Sequence, residues 1–137
     1  MTYEEMLQMQ KQMETTPRAK HGDPEHRLQC SCVRWFRLQF PHLAYALFAV
    51  PNGGSRNKAE AARMKNEGVT AGVSDLILLK SNRHHSALCI EMKTKEGKQN
   101  QAQKAWQAFI ERWDARYVIC RSLDDFMDEI RNYLGDV

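Results

Sequence analysis

Two almost uninterrupted apolar runs, Asp75-Leu76-Ile77-Leu78-Leu79 and Ala87-Leu88-Cys89-Ile90-Glu91-Met92-Lys93, stand on either side of the polar segment Ser81-Asn82-Arg83-His84-His85. Runs of this length bounded by a polar turn are strand-sized, and their closeness in sequence predicts a hairpin. Neither run alternates apolar with polar residues, so both faces of each strand need cover. The chain is thereby committed to a sheet with these strands in its middle and helices packed against it.

The rest of the sequence supplies those helices. Asp23-Pro24-Glu25 starts one, with Asp as N-cap and Pro in the first turn; Leu28, Cys32, Trp35, Phe36 and Gln39 form its stripe, and Pro41 ends it. Ala46–Val50 reads as a short strand stopped by the turn Pro51-Asn52-Gly53-Gly54. Residues 55–67 read as a helix with Gly68 at its C-terminal cap. Thr94–Asn100 is a loop, followed by a helix whose stripe of Ala102, Trp106, Phe109, Ile110 and Trp113 is expected to lie in the core. Tyr117–Cys120 reads as a strand, and Ser122-Leu123-Asp124-Asp125 opens a last helix with stripe Leu123, Phe126, Met127, Ile130, Tyr133 and Leu134. The predicted order, α-β-α-ββ-α-β-α, is that of a three-layer α/β domain with a central mixed sheet flanked by helices. Residues 1–20 read as a short amphipathic helix with Tyr3, Met6, Leu7 and Met13 on one face, so 1–22 is taken as an N-terminal extension and 23–137 as the domain.

The 137 residues suit one domain, and 42% hydrophobic content is enough for a core. No apolar run approaches the roughly 18 residues of a membrane span. Glu4, Glu5, Lys11 and Glu14 interrupt what a secretory signal would keep apolar. A soluble cytoplasmic protein with no membrane partner is therefore expected, with Cys30, Cys32, Cys89 and Cys120 as free thiols at spacings unsuited to zinc. The net charge of +3 is unevenly distributed. Residues 56–104 hold ten Lys/Arg against five Asp/Glu, whereas Asp124, Asp125, Asp128, Glu129 and Asp136 gather near the end. A basic middle is either a solvated face or the footprint of a phosphate-rich partner.

Three residues in the apolar hairpin are out of character. Glu91 and Lys93, two apart in a strand, point to one face. A turn symmetric about Arg83 puts Asp75 directly across from Glu91, their side chains on the same face about 5 Å apart. Two carboxylates so placed repel unless a cation offsets them. A hard divalent ion, Mg²⁺ or Mn²⁺, accepts one or two carboxylates together with water and phosphate oxygens. The Met92 carbonyl is a further candidate ligand, and Lys93 is placed to orient a water or neutralise charge on a phosphate. The alternative is a plain ion pair of Lys93 with the acids. Glu25 reads either as a first-turn acid suited to the helix dipole or as part of the same cluster. Gln103 faces either solvent or a carboxylate or ligand. His84 and His85 fall in the turn, away from the acids. Asn52, Arg56, Lys58 and Lys95 are the candidate phosphate contacts.

Around these residues, two glycines precede the strand in Gly68-Val69-Thr70-Ala71-Gly72-Val73-Ser74-Asp75. With Pro51-Asn52-Gly53-Gly54 and Arg56, Glu91-Met92-Lys93, Gln103 three before Trp106, and Glu25 with Gln29 a turn later, the sequence resembles the virus-type replication-repair nuclease domain (VRR-NUC), a branch of the PD-(D/E)XK nuclease superfamily. The resemblance covers roughly residues 23–134. It implies a restriction-endonuclease-like fold and a metal-dependent phosphodiesterase site built from Glu25, Asp75, Glu91 and Lys93. Ser74 stands where many members have Pro, at a position that shapes the start of the strand and holds no metal. Small stand-alone members resemble junction resolvases, so the expectation is a phage- or prophage-type, Holliday-junction-resolvase-like endonuclease. It would work as a homodimer on branched DNA, in the host cytoplasm if phage-encoded. Flap endonuclease or exonuclease action and catalytically silent DNA binding are the rivals. Nothing in the sequence reads as a helix-turn-helix or zinc finger, so DNA shape rather than base sequence is the expected target.

Overall fold

The computed structural model describes residues 2–8, 23–51 and 57–136. Its elements are α1 (Pro24–Gln39), a 3-10 helix (Pro41–Ala46), β1 (Leu47–Ala49), α2 (Lys58–Asn66), β2 (Leu76–Leu78), β3 (Leu88–Met92), α3 (Gln101–Glu111), β4 (Arg116–Cys120) and α4 (Leu123–Gly135). Residues 3–8 form a helical turn of their own. Met13 and the segment Asn52 to Arg56, both singled out in the sequence, lie outside the described residues.

The sheet order is β1-β2-β3-β4; β1/β2 and β2/β3 pair antiparallel, and β3/β4 pair parallel across the α3 crossover. The hairpin strands are the two inner ones, as their apolar sequence demands, and all of β3 is buried. Strands are shorter at each end than the apolar runs: Asp75 and Leu79 flank β2, and Ala87 and Lys93 flank β3. Ala46 belongs to the 3-10 helix, where Pro41, suited to a first turn and unable to extend α1, starts a new tight turn.

Because side chains alternate along a strand, the register sorts the sheet into two faces. Leu47, Leu76, Leu78, Leu88, Ile90, Met92, Val118 and Cys120 share one face. They pack with Cys32 and Phe36 of α1 and Phe126, Ile130 and Tyr133 of α4 into one core cluster. Trp35 joins the two helices, edge-on to Phe126 at 6.0 Å and beneath the Arg131 guanidinium at 5.4 Å. Asp23 caps α1 by accepting from the Glu25 N–H at 3.0 Å, and Ser122 caps α4 by accepting from the Asp125 N–H at 3.0 Å.

The opposite face carries Phe48, Ile77, Cys89, Glu91, Lys93, Tyr117 and Ile119, and α3 lies on it through Trp106, whose ring meets Tyr117 at 6.1 Å. Here the sequence expectation is corrected. The α3 stripe is not a core stripe: α3 has no buried residue, and Phe109 and Trp113 are 58% and 67% exposed. The helix meets the sheet through a narrow contact instead of being enclosed between layers. Phe48 and Leu79, at the β1/β2 end of this face, are exposed as well.

Candidate active site

The β2/β3 register pairs Leu76 with Ile90 and Leu78 with Leu88, and its continuation puts Asp75 opposite Glu91. Asp75 leaves β2 at the point where its carboxylate reaches across: Oδ2 accepts from the Met92 N–H at 2.7 Å. That bond replaces the ladder hydrogen bond a further strand residue would have made. In an extended strand the N–H and C=O of one residue point to the same side, so Met92 turns its carbonyl toward Asp75 too.

Glu91 is 1% exposed. Its Oε1 accepts from Gln103 Nε2 at 3.2 Å and lies 4.0 Å from Lys93 Nζ, and its Oε2 accepts from the Tyr117 hydroxyl at 3.3 Å. The Glu91 pKa is pushed up to about 8, first by burial, then by a hydrogen bond with Asp75 that favours the protonated form, then by the Asp75 charge; Lys93 and the Tyr117 hydroxyl oppose the rise. Burial beside the Asp75 carboxylate thus disfavours the charged form of Glu91.

Glu25, in the first turn of α1, is half-buried within the field of the same cluster. Partial burial and the Asp75 charge raise its pKa, Lys93 counters, and Asp23 adds a smaller rise. The structure thus brings Asp75, Glu91, Lys93, Gln103 and the Met92 backbone together, with Glu25 at electrostatic range. Lys58, exposed at the start of α2, and Lys95, exposed in the loop after β3, remain separate surface cations. His84 and His85 lie at the turn end of the hairpin, bonded to Asp136 and to the Asp114 carbonyl.

Gln103 is held on both sides of its amide. Its Oε1 accepts from the Asn100 N–H at 2.9 Å while Asn100 accepts from the Gln103 N–H at 2.9 Å, which is a reciprocal capping box; its Nε2 is left to face Glu91. The start of α3 is pressed against the approach to β2 at Gly72. That residue has φ +87°, and a Cβ there would lie 2.2 Å from the Ala102 carbonyl oxygen. Only glycine satisfies both demands, so Asp75 and Gln103 are spaced from one close contact. Ser74, fully buried, satisfies its hydroxyl on the Leu76 carbonyl at 3.0 Å.

Three contributors escaped the sequence reading. Tyr117 and Gln99 join through a chain in which Gln99 Nε2 donates to the Tyr117 oxygen at 3.1 Å and to Gln107 Oε1 at 2.8 Å. Arg121 gathers the loop after Lys93: its Nη1 donates to the carbonyls of Thr94 at 2.8 Å, Gly97 at 2.6 Å and Lys95 at 3.4 Å. Gly97 in turn lies against the Lys93 stem, where a Cβ would meet Lys93 Cδ at 3.3 Å. The parallel β3/β4 register, with Cys89 beside Tyr117, would have put Tyr117 on the face of Glu91, but nothing in the sequence fixes that register.

The donor set is two carboxylates, a main-chain carbonyl and no thiol or imidazole, which suits a hard divalent cation completed by water and phosphate. Among the described residues no three His, Cys, Asp or Glu side chains cluster closely enough to enclose a metal alone. The repelling pair of Asp75 and Glu91 is the feature that a cation would relieve.

A mixed sheet between helices, with an Asp, a Glu-x-Lys and a helix Gln meeting at one point, is the pattern of PD-(D/E)XK nucleases. The profile of the VRR-NUC domain matches residues 9–124, and the chain belongs to that family, a nuclease family whose substrate is DNA. A solved structure described as a VRR-NUC domain protein is similar over 85% of this chain and 92% of its own, with a TM-score of 0.73 at 24% identity; that likeness is one of fold. No curated protein matches the chain. Among the described residues no helix is long and apolar enough to cross a membrane.

Proposed function

We propose that this protein is a metal-dependent, structure-selective DNA endonuclease of the Holliday-junction-resolvase type. The observation that carries the reading is the Asp75–Glu91 pair, set in an apolar sheet with Lys93 Nζ 4.0 Å from the Glu91 carboxylate. Asp75, Glu91, the Met92 carbonyl and Glu25 would hold Mg²⁺ or Mn²⁺. Such an ion supplies a water of lowered pKa and polarises a phosphoryl oxygen. Lys93 donates to the attacked phosphate or to the water and offsets the charge that develops there. Gln103 keeps the Glu91 carboxylate aimed. Asn52, Arg56, Lys58 and Lys95 would contact phosphates and position the duplex without reading bases.

One acid cluster cuts one strand, whereas a four-way junction requires two symmetric cuts, so the working unit is a twofold homodimer. The N-terminal stripe of Tyr3, Met6, Leu7 and Met13 is the first candidate for the interface; Tyr3, Met6 and Leu7 are half-buried within their own chain. The exposed pair Phe109 and Trp113 is a second surface.

Cleavage of a panel of four-way junctions, flaps and nicked duplexes, with Mn²⁺ and with chelator, tests the reading. Paired symmetric cuts on junctions that require metal are expected. Metal-independent cleavage, or none on any substrate, defeats it. Light scattering at micromolar protein separates a dimer from a 15.9 kDa monomer; a monomer would favour flap or exonuclease action.

A further inference from the structure

We infer that Tyr117, oriented by Gln99, is the positioning residue that sets the Glu91 carboxylate for a divalent metal; the inference rests on the metal-dependent reading above. The terminal torsion of a glutamate is broad, so a carboxylate bonded through one oxygen alone can still turn. In this site the two oxygens are held from different elements, Oε1 by Gln103 of α3 and Oε2 by Tyr117 of β4. Two donors on two oxygens fix the plane of the group.

The direction of the tyrosine proton follows from its other partner. An amide nitrogen only donates. Gln99 Nε2 donates to the Tyr117 oxygen, which leaves that hydroxyl's single proton for Glu91 Oε2. Gln99 is kept from turning by its second bond, to Gln107 Oε1 at 2.8 Å. The ring is 6% exposed and braced edge-on by Trp106, so the hydroxyl cannot swing toward solvent or DNA. Tyr117 therefore touches neither substrate nor metal, and it acts through Glu91. Partners of this kind typically change metal affinity by about 10- to 100-fold when removed.

The test is calorimetric titration of Mn²⁺ into the full chain, wild type against Tyr117→Phe and Gln99→Leu, beside a cleavage assay over a Mn²⁺ series. Phe keeps the ring against Trp106 and removes only the hydroxyl; Gln99→Leu, at a half-buried position, is the second variant should the first fail to fold. Tyr117→Phe is expected to weaken Mn²⁺ binding about 10- to 100-fold, with cleavage recovering as Mn²⁺ is raised and DNA affinity in chelator unchanged. Gln99→Leu is expected to shift binding in the same direction by less. Mn²⁺ affinity within twofold of wild type in both variants overturns the inference, as does a loss of cleavage that saturating Mn²⁺ does not restore. A wild type that binds and cleaves beside two variants that both bind equally well defeats this inference alone. A wild type that neither binds Mn²⁺ nor cleaves defeats the nuclease reading and takes this one with it.

Discussion

The two faces of the sheet are made from the same strands, yet they behave as different materials. On one, Leu76, Leu78, Leu88, Ile90, Met92 and Cys120 are fully buried beneath α1 and α4. On the other, a single helix without a buried residue covers part of the surface, and the strands offer Glu91, Lys93 and Tyr117 among Ile77, Cys89 and Ile119. A face closed by two helices has no room for a charged group, because a buried charge without partners is too costly. A face covered by one helix can keep a carboxylate dry while its neighbours reach solvent and substrate. Stability is concentrated on the first face and the candidate site on the second.

Mutations on the two sides of the sheet should separate them. The largest effect expected is from Asp75→Ala or Glu91→Ala, which should take cleavage to background while leaving DNA binding intact, since each removes an acid and no basic surface. Lys93→Ala should follow with a loss of about 10²–10³ in rate. Single-turnover assays with saturating metal measure both, and wild-type rates in either carboxylate variant would erase the distinction between the faces. On the other face, Phe126→Ala should cost about 3–5 kcal/mol of stability by denaturant unfolding, with the activity of the remaining folded protein unchanged.

A smaller effect sharpens the contrast through pH. In the unfolded chain the Glu91 carboxyl titrates near 4.3, whereas in the fold its pKa is raised to about 8. Between those values the folded state holds a proton that the unfolded state has released. The stability of the metal-free protein should therefore fall as pH rises through this window and level off above it. Glu91→Gln should flatten that slope; an equal slope in the variant would show that another group is responsible. The smallest effect expected is on DNA affinity. Arg56→Ala and Lys58→Ala should each reduce the slope of log affinity against log salt by about one unit, read by fluorescence anisotropy, and an unchanged slope in both would place the DNA on another surface.

How much of this was legible in the sequence follows from how local each determinant is. Asp75 could be set against Glu91 because a short symmetric turn and strict alternation fix a hairpin's register, and the observed pairing of Leu76 with Ile90 agrees. Gly72 was visible as a glycine, but its close approach to Ala102, thirty residues on, was not. The sequence leaves Gln103 open between solvent and carboxylate; the capping box on Asn100 turns its nitrogen inward. Tyr117 read as one more apolar strand residue because its partner Glu91 is 26 positions away. The α3 stripe misled for a related reason: periodicity reports which side of a helix is apolar, not how many layers press on it. Phe109 and Trp113 keep the spacing of core residues without the cover.

Arg121 adds to the basic count of the sequence, yet three carbonyl oxygens of the loop after Lys93 converge on one nitrogen of its guanidinium, and its own N–H is fixed to Asp125 at the start of α4. It does for this loop what a coordinated ion does in many others, with the cation tethered covalently to the chain. A diffusible ion can be diluted away or removed by a chelator, whereas this one cannot leave. On the proposed metal-dependent reading, chelation should disarm the carboxylates and leave the loop bearing Lys95 in shape, so that the protein should still grip DNA without cutting it.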